Sequence, residues 1–279
     1  MTGDLLAVPG ARLHHRLRGS GPLLLMLQAG DGRAEGTDNL AEHLQDRWTV
    51  LSYDRRGLVR SPLDDPASVV DLSIHADDAS RLLSSCTDRP AVVFGASIGA
   101  VIGLELLRRH PGQVALLVAH EPPVVALLPD DERSAAEEGQ HAIESTLATG
   151  GPAAAMQQFL TGTGIDPTDR EPDAPIPPVD PDRARDVAFF LRRDAPAVAR
   201  YRPDRDVLGA LGDRIVPAVG ERSAHLFPGR CALALAALLG TTAAEFPGGH
   251  SGFALRPRAF AARLAEVLER GSTGVRQVS

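Results

Sequence analysis

Lysine is absent: all 29 basic side chains of the 279-residue chain are arginine. With many Ala, Gly and Pro residues alongside, that reads as a bias of genomic base composition and not as a function. The arginines form no basic block, and the formal net charge is −7. A phosphate backbone finds no cationic stripe here, so nucleic acid is not an expected partner. Cysteine is limited to Cys86 and Cys231. One bridge is the most they allow, and two buried free thiols of a cytoplasmic protein are the expectation. No apolar run reaches the roughly 18–20 residues of a membrane span. The opening MTGDLLAVPG has no basic segment followed by a long apolar one, which speaks against a signal peptide. A soluble, cytoplasmic protein without membrane contact is expected. A Walker loop, a dinucleotide fingerprint in its strand–helix setting and Cys/His zinc spacing are all missing, so neither cofactor nor metal is expected.

What is present is ordinary globular material, 43% apolar and 23% charged. A chain of this length buries roughly three quarters of its extended surface and needs no staples. Short apolar runs alternate with amphipathic segments. Strands are expected at 4–8, 11–18, 23–27, 49–53, 91–94 and 114–119, with helices at 37–46, 71–86 and from 98 to about 110. Continuous runs such as LLLML (23–27) fit strands buried on both faces. Strand–helix alternation of this kind means a parallel sheet, because parallel strands need long crossovers.

After Pro123 the rhythm changes. Helices are expected from Asp130 to about Leu147, at 152–161 behind Pro152, and from Pro181 with Asp180 as cap; the six prolines of 165–181 mark a loop. Alternation resumes with strands at 214–220 and 241–246 and helices at about 229–239 and 257–270. The division is therefore a core of 1–123 and 207–279, with 124–206 as an inserted helical lid. Phe189, Phe190, Leu191 and Tyr201 read as lid core.

The strongest chemical signal is Gly95-Ala96-Ser97-Ile98-Gly99, directly after the strand AVVF. The string alone is weak, but between a buried strand and a helix it has the setting of a nucleophile elbow. Glycines two before and two after remove side chains that would collide in a sharp turn. The serine then stands above the sheet at a helix N-terminus, whose free N–H groups favour a developing anion. A serine needs a base. His250, in Gly248-Gly249-His250-Ser251-Gly252 after the last strand, falls at the same carboxyl edge of the sheet. His14, His15, His43, His75 and His110 lie on a hairpin or on helices, and His120 shares the edge but precedes the lid. His75, Asp77 and Asp78 are read as a solvated helix face, and Tyr53-Asp54-Arg55-Arg56-Gly57 as a turn held by charge pairing.

The loop QAGDG (28–32), YDRRG (53–57), GASIG (95–99) and PGGHSGF (247–253) together resemble α/β-hydrolase-fold enzymes over nearly the whole chain outside the lid. The resemblance implies an α/β fold with an eight-stranded, mostly parallel sheet, a Ser–acid–His triad and an oxyanion hole of two backbone N–H groups. It places one donor on Ile98 and the second in the Gln28–Gly32 loop, with Gly30 preferred over Ala29 and Asp31. The acid departs from the commonest family pattern. Where many members carry Asp in a Gly-x-x-Asp string, this chain has Gly220-Glu221-Arg222-Ser223. A moved acid fits Glu121, after the sixth strand, as in zearalenone-type lactone hydrolases and some haloalkane dehalogenases. Ser97 argues against the dehalogenases, which use Asp as nucleophile. Glu221 is the rival acid.

The reading is a cofactor-free serine hydrolase with Ser97, Glu121 and His250 as catalytic residues, acting on a hydrophobic small-molecule ester or lactone. A homodimer stays open. The alternatives are a thioesterase, a perhydrolase, a lyase or cyclase on the same fold, or a non-catalytic ligand-binding homologue.

Overall fold

A computed structural model describes residues 3–174 and 183–275. The chain begins with a hairpin, β1 (Asp4–Val8) and β2 (Ala11–Arg18), and continues into β3 (Leu23–Leu27). A 3₁₀ turn leads into α1 (Asp38–Glu42), followed by β4 (Thr49–Tyr53), α2 (Leu72–Cys86), β5 (Ala91–Ala96), α3 (Ile98–Arg109) and β6 (Val114–His120). Only helices and loops then occur among the described residues until β7 (Ile215–Gly220): α4 (Asp130–Thr163), α5 (Arg183–Phe189), a π-helical turn (Phe190–Asp194), α6 (Ala195–Ala199) and α7 (Arg205–Ala210). The chain closes with α8 (Phe227–Leu238), β8 (Ala244–Phe246), α9 (Gly252–Leu255) and α10 (Pro257–Val275).

The eight strands form one sheet in the order β1-β2-β4-β3-β5-β6-β7-β8. β2 is antiparallel to both neighbours, and every other pair is parallel. Alternation along the central strands builds two cores. Leu25, Leu27, Val93 and Leu117 face α2 and α3. Met26, Phe94 and Val118 face the other way, toward α1 and α10, with Phe246, Phe253 and Phe260. The expected α/β-hydrolase fold, with its eight-stranded sheet, is the fold observed.

Several expectations change in detail. The helix expected at 37–46 is a 3₁₀ turn and five α-helical residues. The strand expected at 241–246 keeps only 244–246. The helices expected at 130–147 and 152–161 run together as α4, broken at Gly151 (φ 81°, ψ 177°) just before Pro152. The Asp180 cap and Pro181 lie outside the described residues. Cys231 is buried as expected, but Cys86, at the end of α2, is only half-buried; both are free thiols. The solvated-face reading of α2 fails for His75 and Asp78, while Asp77 stays partly exposed. His75 and Asp78 are 1% and 0% exposed. Asp78 takes a two-point ion pair from Arg56 (2.6 Å at Nε), and Asp77 pairs with Arg109 and His110. Charges 22 residues apart in sequence neutralise one another, which helix spacing alone does not reveal. The charge-paired turn at 53–57 stands: Asp54 accepts from Arg60 and from the Ala34 N–H.

Tight packing joins the elbow to the sheet. A methyl group at Gly99 would lie 2.0 Å from the Leu27 carbonyl oxygen, and one at Gly95 would lie 2.5 Å from that of Gly99. The first turn of α3 therefore rests on the end of β3. Backbone cannot yield as a flexible side chain does, so Gly99→Ala is expected to destabilise by about 2 kcal/mol or more. Thermal unfolding followed by circular dichroism should then show Tm lowered by about 3 °C or more.

Candidate active site

Ser97 sits between β5 and α3 with φ 55° and ψ −123°, a left-handed conformation that a side-chain-bearing residue rarely takes. Its N–H donates to the His120 carbonyl (2.9 Å), and its own carbonyl accepts from the Ala100 N–H (2.9 Å). The turn is thus fixed to β6 on one side and to the helix on the other. Ser97 remains half-buried, while Ala96 and Ile98 beside it are buried.

Glu121, the first residue past β6, also has positive φ (46°). Its N–H donates to Ala218 on β7 (2.9 Å), and the turn aims its carboxylate at the end of β7. There Oε1 accepts from the Gly220 N–H (2.9 Å) and, in a short hydrogen bond, from the Ser223 hydroxyl. Oε2 lies 2.7 Å from His250 Nδ1. Glu121 and Ser223 are wholly buried, and His250 is 6% exposed. Burial by itself pushes a carboxyl pKa up. The His250 hydrogen bond, the neighbouring His120 and His250 and the Ser223 hydroxyl outweigh it and hold Glu121 down at about 2. Glu221 is exposed; the His250 ring meets Glu121 instead.

Ser97 and His250 line the same cavity of about 430 Å³, between the sheet edge and the inserted helices. The remaining wall is largely apolar. Val125 and Leu128 lead into α4, which gives Ala135, Ala136, Gly139, Ile143 and Phe159; α6 gives Ala195 and Val198. A bidentate ion pair of Glu132 and Arg230 (3.0 Å at Nε) stands at the wall. Of the four lid residues singled out from the sequence, Phe190 and Leu191 are buried and none lines this cavity.

The loop after β3 carries Gly30. Arg55 donates to three of its carbonyl oxygens in succession, Gln28 (3.4 Å), Ala29 (3.0 Å) and Gly30 (3.3 Å). Ile98 opens α3, where first-turn N–H groups have no helical acceptor. Two features of this site were not read from the sequence. Ser223 is a hydrogen-bond donor to Glu121, although it stands where the family commonly has an acid. Arg55 reaches the Gly30 loop. The departure from the acid pattern at 223 pointed to the first; nothing along the chain pointed to the second. His120, weighed as a rival base, is excluded on geometry. Its ring is fully buried against Phe246, Phe253 and Phe260, on the α10 side of the sheet, and neither nitrogen has a hydrogen-bond partner. Among the described residues, no group of three His, Cys, Asp or Glu side chains is arranged to hold a metal ion, and no helix is long and apolar enough to cross a membrane.

Comparison with known proteins agrees with this architecture. Residues 8–263 match the model of the alpha/beta hydrolase family, and the chain belongs to that family. The hydrolase YraK of Bacillus subtilis (strain 168), described as uncharacterized, is 36% identical over 269 residues, 95% of each chain. A 2-(acetamidomethylene)succinate hydrolase of Mesorhizobium japonicum is 30% identical over 107 residues, 38% of each chain. Among solved structures, a thermophilic esterase from Thermogutta terrifontis superimposes with a TM-score of 0.73 at 17% identity, covering 97% of this chain and 98% of that one. The protein is a hydrolase by family.

Proposed function

We propose that this hydrolase cleaves a carboxylic ester or lactone of a hydrophobic small molecule through an acyl-enzyme on Ser97. The observation that carries the reading is the 2.7 Å contact of His250 with the buried Glu121 carboxylate, made by a histidine that shares an apolar cavity with a serine on a strained turn. In this mechanism Ser97 Oγ attacks the carbonyl carbon and His250 Nε2 takes its proton. Glu121 fixes the imidazole tautomer through Nδ1 and stabilises its cationic form. The N–H groups of Ile98 and Gly30 receive the oxyanion, each contributing on the order of 3–4 kcal/mol in the transition state. Collapse of the tetrahedral intermediate expels the alkoxide, which takes the proton from His250. Water, deprotonated by His250, then releases the acid. The helices between β6 and β7 act as a cap, supplying apolar wall over the nucleophile. A lactone is favoured over an open ester only by the position of the acid after the sixth strand.

A fluorophosphonate probe tests this directly. Intact-mass and peptide analysis should find one adduct, on Ser97, that is lost in Ser97→Ala; an unlabelled wild type sinks the proposal. The cavity gives a second expectation. Ala136 lines the same cavity as Ser97, so Ala136→Phe takes up space in it, and KM for a bulky aryl ester should rise by about tenfold or more while that for an acetate ester stays within about threefold. An effect of this size corresponds to losing about 1.4 kcal/mol of pocket contact. Steady-state kinetics on matched p-nitrophenyl esters reads the difference.

A further inference from the structure

Arg55 is 2% exposed, and all five of its guanidinium N–H donors have acceptors. Nε and Nη2 grip Asp194 Oδ2 at 3.0 and 2.8 Å. Nη1 reaches the carbonyls of Gln28 and Ala29, and Nη2 that of Gly30. The backbone N–H of Arg55 adds a fourth hold on the same loop, donating to the Gly32 carbonyl at 2.8 Å. A trans peptide is planar, with its C=O and the following N–H pointing in opposite directions. Fixing the carbonyls of Gln28, Ala29 and Gly30 toward the guanidinium therefore turns the N–H groups of Ala29, Gly30 and Asp31 away from it.

Asp194 belongs to the inserted helices. It closes the π-helical turn Phe190–Asp194, is 1% exposed, and gives its second oxygen to His75 Nε2 on α2 (3.1 Å). Burial would raise its pKa, but Arg55 and His75 bring it below the usual range, so the carboxylate is ionised. The same turn packs Phe190 on the loop: a methyl group at Gly30 would lie 3.0 Å from the end of that ring. A π-helical turn widens the helix by one residue and re-aims the side chains around it. Here it lets Phe190 and Asp194 reach the loop and the arginine together.

We infer that Arg55 is a positioning residue, which aims the oxyanion-binding N–H groups of the Gly30 loop, and that Asp194 is its anchor in the inserted helices. Seating the helices on the sheet and presenting the oxyanion donors then become one event. The inference rests on the proposed acyl transfer at Ser97.

The test separates ground-state from transition-state effects. Arg55→Met and Asp194→Asn are compared with wild type on p-nitrophenyl butyrate. They are also compared for inhibition by an alkyl trifluoromethyl ketone, which forms a tetrahedral adduct carrying an oxyanion. In Arg55→Met, kcat should fall by about 10²–10³-fold with KM within about threefold, the loss expected for one mis-aimed donor. The ketone inhibition constant should rise by the same factor as kcat falls. Asp194→Asn keeps the shape of the site and should give a loss of about tenfold with the same parallel. Near-UV circular dichroism checks folding, and if Arg55→Met does not fold, Asp194→Asn decides alone. A folded variant with kcat and ketone affinity both unchanged overturns the inference, as does one that loses only KM. If wild type forms no adduct at Ser97 with the ketone, the proposed function has failed and this inference with it. An adduct in wild type together with unchanged variants fails the inference alone.

Discussion

Glu121→Gln is expected to lower kcat for ester cleavage by about 10³–10⁴-fold while leaving the protein folded. The geometry explains the size. Glu121 Oε1 is fixed by two donors, the Gly220 N–H and the Ser223 hydroxyl. A glutamine would therefore keep its one carbonyl oxygen there and turn its NH₂ toward His250. Nδ1 of His250, 2.7 Å away in the native site, would then have to accept, which leaves the proton on Nε2. That is the wrong tautomer for taking a proton from Ser97. The carboxylate charge that stabilises the imidazolium is lost as well. Because Glu121 has a pKa of about 2, the native group is an anion throughout the ordinary working range, so the deficit should persist across pH. Stopped-assay kinetics from pH 6 to 9 would read it, and full retention of rate would remove Glu121 from the mechanism.

His120 carries the second large effect, on stability. Burial pushes its pKa down to about 4; Glu121 opposes the shift and His250 adds to it. The unfolded chain protonates His120 near 6.5, the folded protein only near 4. Between these values the unfolded state binds the extra proton, so stability is fully present above 6.5 and drains away as pH falls toward 4. The loss from this one ring is about 2 kcal/mol at pH 5 and about 3 kcal/mol at pH 4. Glu121 adds a loss of the same sign from about 4.5 down to about 2. His120→Leu fills a similar volume without a titrating ring. Urea unfolding at pH 7.5 and pH 5 should show wild type losing stability and the variant losing about 2 kcal/mol less. Equal losses would mean that His120 is not the acid-sensitive group.

The sequence was enough for the fold, because its signals are local. Buried parallel strands read as continuous apolar runs, and helices on both faces follow from the need to cross over. Gly95 and Gly99 announced the turn at Ser97 because only glycine leaves room there: a methyl at either would strike backbone. His250 was legible from its place after the last strand, since parallel strands deliver their following loops to one edge. Ser223 was legible as an absence, and that absence pointed toward Glu121.

What the sequence left undecided depends on contacts between distant segments. Spacing could not distinguish Glu121 from Glu221; only the parallel pairing of β6 with β7, and the positive-φ turn that follows β6, bring the first to His250 while the second stays exposed. Nor could it show that His75 and Asp78 are buried, because their partners Asp194 and Arg56 come from a distant helix and a loop. His120 looked like a second candidate base until the sheet turned it into an aromatic layer away from the cavity. Pattern along a chain reports which face a residue turns to its own element. A charge or a ring becomes a partner only when the fold closes the distance, and that is a property of the tertiary structure.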